Sequence, residues 1–196
     1  MNLPNKLTVS RFVLTAFFLV VMFARFPGHE SVALVLFGLA GITDFLDGRI
    51  ARQRGLITNF GILMDPLADK ILTCSAFIAF VGRGIMPAWM VVIIVGRELA
   101  ITGLRLLAAS QQVVLAAERF GKHKTISQIV AILAVLTVLS YPQWGVAGEF
   151  VFGWRIAGVA WVVPFAELSK WISVLLTLFS GGIYLWRNRE LYLKDM

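Results

Sequence analysis

Seven apolar stretches that contain no Asp, Glu, Lys, Arg or His constrain the fold of this 196-residue chain more than any other feature. A helix needs about 20 residues to cross the roughly 30 Å of hydrocarbon in a bilayer. Only Thr125–Gly148 is long enough to do so alone. The others are Phe12–Ala24, Ser31–Thr43, Ile71–Gly82, Gly84–Gly96, Ile156–Ala166 and Trp171–Trp186. These shorter stretches can span a membrane only if flanking charges enter the ends of their helices.

The composition excludes a soluble globular domain. Hydrophobic residues make up 59% of the chain and charged residues 15%, and the mean hydropathy is +0.82. Soluble domains contain roughly 45–50% apolar and about 25% charged residues, and a soluble core of this size could not bury so much apolar surface. The sequence therefore predicts an all-α integral membrane protein with a single membrane-embedded domain over residues 1–196.

Six transmembrane helices are predicted from these stretches and the charges beside them. Lys and Arg side chains are long enough to reach the interface from a helix end, whereas a carboxylate at membrane depth needs a partner, a metal or a wet cavity. The predicted spans cover residues 8–26, 31–53, 61–82, 86–109, 122–140 and 167–187. Residues 141–166, rich in Gly, Trp and Pro, are predicted to form a loop with a short interfacial helix.

The basic residues predict the orientation of these helices. With the N-terminus inside, fourteen Lys and Arg residues fall on the inner side and four on the outer side. Because basic residues are retained in the cytoplasm, we expect both termini there and an even number of spans. This bias and contact with anionic membrane lipids account for the net charge of +7, so no nucleic-acid partner is expected.

Four aspartates interrupt the apolar pattern. Asp44 and Asp47 are three residues apart near the end of the second predicted helix, and Asp65 and Asp69 are four apart near the start of the third. Each pair therefore shares a helix face, and a turn between the helices would bring the pairs together. Any one of them alone could be a solvated loop residue or a helix cap. Ser31–Thr43, however, is too short to span without Asp44 and Asp47.

Four clustered carboxylates at low dielectric repel one another, which raises their pKa values unless cations neutralise them. Carboxylate oxygens suit Mg²⁺ or Mn²⁺, and the lack of clustered His and Cys in the sequence argues against zinc. Four carboxylates around two such ions are typical of phosphoryl chemistry, in which the metals bind the attacking and leaving oxygens.

The segment Asp44–Asp69 resembles the signature of the CDP-alcohol phosphotransferase family, membrane enzymes that make phospholipids. The pattern D-x2-D-G-x2-A-R-x8-G-x3-D-x3-D fits it without departure. Resemblance to the branch of this family that makes phosphatidylglycerophosphate comes from Asn2–Thr8 with Arg11, Gly96–Glu98, Thr102–Arg105 and Gly121–Thr125. The similarity extends over about residues 1–140.

This resemblance implies the CDP-alcohol phosphotransferase fold in a homodimer, in a bacterial cell membrane, with an active site that faces the cytoplasm. The implied reaction transfers a phosphatidyl group from CDP-diacylglycerol to sn-glycerol 3-phosphate, giving phosphatidylglycerophosphate and CMP. Asp44, Asp47 and Asp65 would bind two divalent cations, Mg²⁺ or Mn²⁺, that hold the pyrophosphate. Asp69 would be both a ligand and the general base for the acceptor hydroxyl. Transfer would be direct, because no Ser, Cys or His stands in a nucleophile–base pair.

Three further residues are implied to bind the CDP-linked lipid, each with a structural alternative. Gly48 would let the nucleotide approach the helix backbone or would permit close helix packing. Arg52 would bind phosphate or pair with an aspartate, or else extend to the interface as a positive-inside residue. Thr58 would donate a hydroxyl contact to CDP or cap a helix.

Basic residues elsewhere predict a site for the acceptor's phosphate. Arg97 and Arg105 are eight residues apart, about two helical turns, and so lie close to one face. With Lys122 and Lys124, and with Arg11 from the first helix, they would form a basic pocket beside the aspartates. Ordinary loop charge is the alternative for the lysines. Glu98, which follows Arg97, is expected to pair with an arginine.

Two other functions stay open at this point. One is the same chemistry with another acceptor, such as inositol phosphate or another lipid alcohol. The other is a cation transporter that uses the aspartates as its ion path. A transporter predicts acidic residues spread through the membrane depth and an internal repeat, and the sequence shows neither.

Overall fold

Six long helices make up most of the chain in the computed structural model. It describes residues 3–54, 59–113, 115 and 119–193, but not the side chains of residues 3–7, 44–54, 59–63, 65, 66, 69, 119 and 120. The long helices are α1 (Leu3–Phe23), α2 (His29–Arg54), α3 (Asn59–Gly82), α4 (Ala88–Ser110), α5 (Arg119–Ser140) and α7 (Val162–Arg187). A short α6 (Gly145–Phe152) precedes α7, and α8 (Glu190–Leu193) follows it.

The helical character predicted from the sequence is confirmed, and each predicted segment coincides with one long helix. Two starts were wrong by five residues: α1 begins at Leu3 and α7 begins at Val162, each five residues before the predicted start. Two helical stretches, Gly121–Phe152 and Val162–Arg187, are long and apolar enough to cross a membrane by length and composition. Within the described residues, the apolar parts of α1, α2 and α3 are shorter, at Thr8–Phe23, His29–Thr43 and Lys70–Gly82. Six membrane crossings therefore stay a prediction.

Short turns join α1 to α2 and α3 to α4 at one end of the bundle, which we call the distal end. Gly28 adopts a φ of +87° in the first turn and Gly84 a φ of +70° in the second. The amide of Ile85 donates to the carbonyl of Phe80 at 2.8 Å, a closure that ends α3. Extended backbone at Pro87 then starts α4. The C-terminal end of α2 and the N-terminal end of α3 therefore lie away from the distal end.

The helices pack with an apolar core and an apolar outer surface. α5 lies against α7, α2 and α3, while α1 packs on α2 and α3, and α4 packs on α7 and α3. Phe18 and Phe37 are buried in the core with ring centroids 5.9 Å apart. Large apolar side chains such as Val92 (69% exposed) and Phe179 (67% exposed) cover the outside. Exposed apolar surface on this scale indicates a lipid-facing or protein-facing exterior.

Residues 141–161 form a cap on the distal end. A 3₁₀ turn (Tyr141–Trp144) leads into α6, and strands β1 (Arg155–Ile156) and β2 (Val159–Ala160) pair in an antiparallel hairpin. The predicted short helix is thus present, whereas the hairpin was not predicted. Its two-residue turn is Ala157-Gly158, with φ of +52° and +85°. Alanine is unusual at a position that needs positive φ, so the usual sequence signal of a hairpin is missing here.

Glu30 fastens this cap to the bundle. Arg83 Nη2 donates to Glu30 Oε1 at 3.0 Å, and Gln143 Nε2 donates to Glu30 Oε2. His29 Nε2 lies 3.1 Å from Glu30 Oε1. Burial by itself would raise the pKa of Glu30, but the hydrogen bonds from Arg83 and Gln143, with smaller effects of backbone and His29, hold this pKa below its usual value. We call Glu30, Arg83 and Gln143 the Glu30 clasp.

Candidate functional site

The four predicted metal ligands lie on two consecutive helices. Asp44 and Asp47 belong to α2, and Asp65 and Asp69 belong to α3. Because α2 ends and α3 begins at the end opposite the distal turns, both pairs are carried toward that end, which we call the aspartate end. The four side chains lie outside the described residues, so their geometry around a metal stays a prediction.

The predicted ligands of the CDP-linked lipid fall in the same region. Gly48 and Arg52 are on α2, downstream of Asp47. The side chain of Arg52 lies outside the described residues, and Thr58 lies outside them altogether. Their proposed contacts therefore stay predictions.

Polar side chains are buried between the helices in the part of the bundle that leads to the aspartate end. The buried polar residues there are Thr8, Arg11, Thr15, Thr73, Glu98, Lys124, Gln128, Ser173, Thr177 and Ser180. Two of them are joined across helices, because Gln128 Nε2 donates to Thr177 Oγ1 at 3.3 Å between α5 and α7. Beside them, the half-buried Lys70 Nζ donates to Thr102 Oγ1 between α3 and α4. Buried ionisable groups in a membrane domain are costly, so they indicate a functional site.

Glu98 is the centre of a buried charge cluster within this region. Its Oε1 accepts from Lys124 Nζ of α5 and from Arg97 Nη1 at 3.3 Å. The side chains of Lys124, Glu98 and Arg97 are 5%, 9% and 14% exposed. Desolvating such ions costs several kcal/mol each unless they are paired. Among the described residues, one carboxylate here faces two cations, an arrangement that favours an anionic ligand.

Arg97 reaches its place because α7 offers a glycine where the side chain crosses. Its Nη2 donates to Ser180 Oγ at 3.5 Å. A Cβ built on Gly181 would lie 2.7 Å from Arg97 Cγ, closer than Cβ atoms approach other atoms. An apolar groove of about 400 Å³ opens beside this contact between α4 and α7, with Val92, Leu178 and Leu185 among its lining residues and Arg97 contributing the charge.

The predicted basic pocket is only partly assembled in the described structure. Arg97 and Lys124 meet at Glu98, whereas Arg105 turns to α7: its Nε donates to Tyr184 Oη at 3.4 Å, and its Cζ lies 5.8 Å from the Tyr184 ring centroid. Arg97 and Arg105 thus both contact α7. Lys122 is exposed. Arg11 is 1% exposed, on α1.

The sequence reasoning missed three residues of this region. Lys70 follows Asp69 directly, and this position was a signal, because a lysine beside an aspartate in an apolar helix is unusual. Ser180 and Tyr184 had none. Their roles come from the packing of α7 on α4, which one sequence does not reveal.

Comparison with known proteins identifies similar sequences. The model of the family described as CDP-alcohol phosphatidyltransferase matches residues 1–179. The chain is 40% identical over 201 residues, covering 96% of both chains, to a CDP-diacylglycerol–glycerol-3-phosphate 3-phosphatidyltransferase of Bacillus subtilis. It is 31% identical over 183 residues to a protein of the same name from Rickettsia typhi, with 93% of this chain and 94% of the relative covered. A probable phosphatidylglycerophosphate synthase of Mycobacterium tuberculosis is 43% identical over 145 residues, with 72% of this chain and 68% of the relative covered.

Proposed function

Because the chain belongs to the CDP-alcohol phosphatidyltransferase family, we propose that it transfers the phosphatidyl group of CDP-diacylglycerol to sn-glycerol 3-phosphate, giving phosphatidylglycerophosphate and CMP. The observation that carries this proposal is the relative that is 40% identical over 96% of both chains, whose name states both substrates. The buried Arg97–Glu98–Lys124 cluster supports it, because an acceptor that bears a phosphate needs cationic partners.

We place this reaction at the aspartate end of a bundle that crosses the membrane six times. The relatives are enzymes of membrane lipid synthesis, and two helical stretches of this chain are apolar and long enough to span. The excess of basic residues near the aspartate end supports a cytoplasmic orientation in a bacterial cell membrane. There a water-soluble acceptor can reach the site while the lipid donor stays in the bilayer. A homodimer is proposed from the resemblance to the family.

Enzymes of this family use divalent metal ions, and the aspartates of this chain fit such ions. The donor set offers hard carboxylate oxygens from Asp44, Asp47, Asp65 and Asp69, which suit Mg²⁺ or Mn²⁺. Their spacing on α2 and α3 gives each helix one ligand face. When bound, the ions would neutralise the pyrophosphate and stabilise the charge that develops on its oxygens.

The protein's own residues would do the remaining chemistry. Asp69 would take the proton from the acceptor hydroxyl as the hydroxyl oxygen attacks the β-phosphorus of CDP-diacylglycerol. A phosphorus–oxygen bond forms to glycerol 3-phosphate, the bond to CMP breaks, and CMP leaves with the electron pair. General-base catalysis of this kind contributes about 10²- to 10⁴-fold. Gly48, Arg52 and Thr58 would hold the cytidine diphosphate portion of the donor.

The acceptor would be oriented by its phosphate. Arg97 and Lys124 are the proposed direct contacts, because they are buried together. Arg11, Arg105 and Lys122 would add to the positive potential around the pocket. Fixing the phosphate would leave the hydroxyl at the other end of glycerol 3-phosphate free to point at Asp69. Positioning of this kind lowers the barrier by removing the entropy cost of an encounter.

The test is an acceptor panel with the purified protein, CDP-diacylglycerol and Mg²⁺. We expect CMP release with glycerol 3-phosphate, none after chelation by EDTA, and recovery when Mg²⁺ is restored. Inositol phosphate, serine and free glycerol serve as competing acceptors. Release of CMP with another acceptor, but not with glycerol 3-phosphate, would contradict the proposed acceptor while preserving the family chemistry.

A further inference from the structure

Glu98 is chemically unusual for a pocket that is meant to bind phosphate. Its carboxylate is bound to the two cationic side chains that are proposed to bind the acceptor's phosphate. Arg97 Nη1 donates to Glu98 Oε1 at 3.3 Å, and Lys124 Nζ donates to the same oxygen. A permanent anion at that position competes with any phosphate that approaches. An unpaired Arg97–Lys124 pair, however, would be costly at a site so little exposed.

A carboxylate and a phosphate ester present the same kind of partner to these cations. Both offer anionic oxygens to guanidinium and ammonium donors, but the phosphate carries more charge and more oxygens. We infer that Glu98 occupies the place of the acceptor's phosphate on Arg97 and Lys124 in the acceptor-free protein, and that it gives up these contacts when the acceptor binds. This inference rests on the proposed function, because glycerol 3-phosphate is the anion that displaces it.

The surroundings of Glu98 support an exchange of this kind. Thr102, one turn further along α4, donates to the backbone carbonyl of Glu98 at 2.7 Å and accepts from Lys70 Nζ. The backbone that carries Glu98 is therefore held in place, while its carboxylate has only cations as partners among the hydrogen bonds and ion pairs described. Lys70, through its hydrogen bond to Thr102, places a third cation next to the cluster.

The consequence for the reaction is selectivity. An acceptor without a phosphate cannot outcompete the carboxylate, and its binding leaves the cluster as it stands. A dianionic acceptor instead binds Arg97 and Lys124, from which Glu98 withdraws. Glu98 also keeps the site from holding free inorganic phosphate tightly, because each anion must first displace it. Glu98 is thus a specificity-determining residue and not one that touches the reacting atoms.

Glu98→Gln tests this inference because it removes the competing charge and retains the shape of the side chain. We expect the KM for glycerol 3-phosphate and the inhibition constant of inorganic phosphate to fall by about tenfold each, equivalent to about 1.4 kcal/mol. The KM for CDP-diacylglycerol should stay within about twofold. Glu167→Gln is the matched control, because Glu167 also pairs with a lysine, at 2.7 Å from Lys170 Nζ. Glu167, however, is 59% exposed and lies near the N-terminal end of α7, away from Ser180 and Gly181.

The opposite result identifies a scaffolding role. If Glu98 only holds Arg97 and Lys124 in position, Glu98→Gln raises the KM for glycerol 3-phosphate and weakens phosphate inhibition, and the inference is overturned. Should Glu98→Gln fail to fold, Glu98→Asp gives a second test. Its shorter carboxylate reaches the cations less well, so phosphate inhibition should strengthen in the same direction by a smaller factor. A weaker inhibition would overturn the inference.

Different results would contradict the proposed function and the proposed role of Glu98. If the wild-type protein releases no CMP with glycerol 3-phosphate, the proposed acceptor is wrong. If it does release CMP and Glu98→Gln leaves both constants unchanged, the acceptor stands and the role of Glu98 is wrong. Stabilisation of the purified protein by inorganic phosphate, measured as a shift in Tm, checks the anion affinity without turnover. That shift should be larger in Glu98→Gln than in the wild type.

Discussion

The side chain of Arg97 crosses α7 at Gly181, where a methyl group would lie 2.7 Å from Arg97 Cγ. The neighbouring Gly182 has open space at the same position. These two adjacent glycines therefore separate the effect of a methyl group on α7 from the effect of moving Arg97.

Gly181→Ala should displace Arg97 from Ser180 and from Glu98. The KM for glycerol 3-phosphate is expected to rise by about tenfold, because small displacements of a positioning group are costly. The KM for CDP-diacylglycerol should not change. Gly182→Ala is the control and should behave as the wild type. Equal KM values in the two variants would show that Arg97 does not position the acceptor.

Asp69→Asn should abolish turnover while the protein stays folded. Removing a general base costs about 10²- to 10⁴-fold in kcat, and an amide cannot accept the acceptor's proton. CMP release measures the loss, and thermal unfolding of the purified variant checks the fold. Substantial residual activity would remove Asp69 as the base. Recovery at high Mg²⁺ would assign its role to metal binding alone.

Lys124 and Lys122 should differ in their effects, although they are only two residues apart. Lys124 is buried against Glu98, whereas Lys122 is exposed. Lys124→Gln is expected to raise the KM for glycerol 3-phosphate by at least about tenfold, because it removes a desolvated charge. Lys122→Gln should raise it by less than about threefold, and this smaller effect should shrink further at high salt, because exposed charges are screened.

The Glu30 clasp should make stability depend on pH on the acid side. Its lowered pKa means that Glu30 contributes stability above the ordinary value of 4.5, and that this contribution is lost as pH falls through the lower folded-state pKa. Glu30→Gln should therefore have a lower Tm than the wild type at pH 7, by about 4 °C.

The measurement is the difference in Tm between the wild type and Glu30→Gln from pH 7 to pH 3. Other carboxylates titrate in both proteins, so only the difference reports on Glu30. It should narrow as pH falls below 4.5. A constant difference across this range would mean that the charge of Glu30 contributes nothing to the clasp.

The long helices were predictable because hydropathy alone determines which parts of this chain can leave water. The junctions between these helices were less predictable. The start of α7 was misplaced because Trp161 and Pro164 are typical of an interfacial loop, although the helix begins at Val162 and includes Pro164. The hairpin at Ala157-Gly158 lacked its usual turn residues.

The candidate site was likewise predictable only in its local features. The aspartates could be found because their spacing is a local pattern on two helices. The pairing of Glu98 with Lys124 joins residues 26 positions apart, and that of Arg105 with Tyr184 joins residues 79 apart. Such contacts are made by helix packing, so residue types predicted a basic pocket but not which cations would share one anion. The sequence indicated which residue types form the pocket, whereas helix packing determines which of these residues contact one another.

The Glu30 clasp also has a consequence for how the chain is assembled during synthesis. Arg83 follows Glu30 by 53 residues and Gln143 follows it by 113. A ribosome releases Glu30 first, so its carboxylate must wait for a partner from the second helical hairpin and then for one from beyond α5. In the proposed topology all three reach the far side of the membrane separately. In that topology the clasp can therefore close only after the first five helices have been made and inserted, and its closure does not require α7.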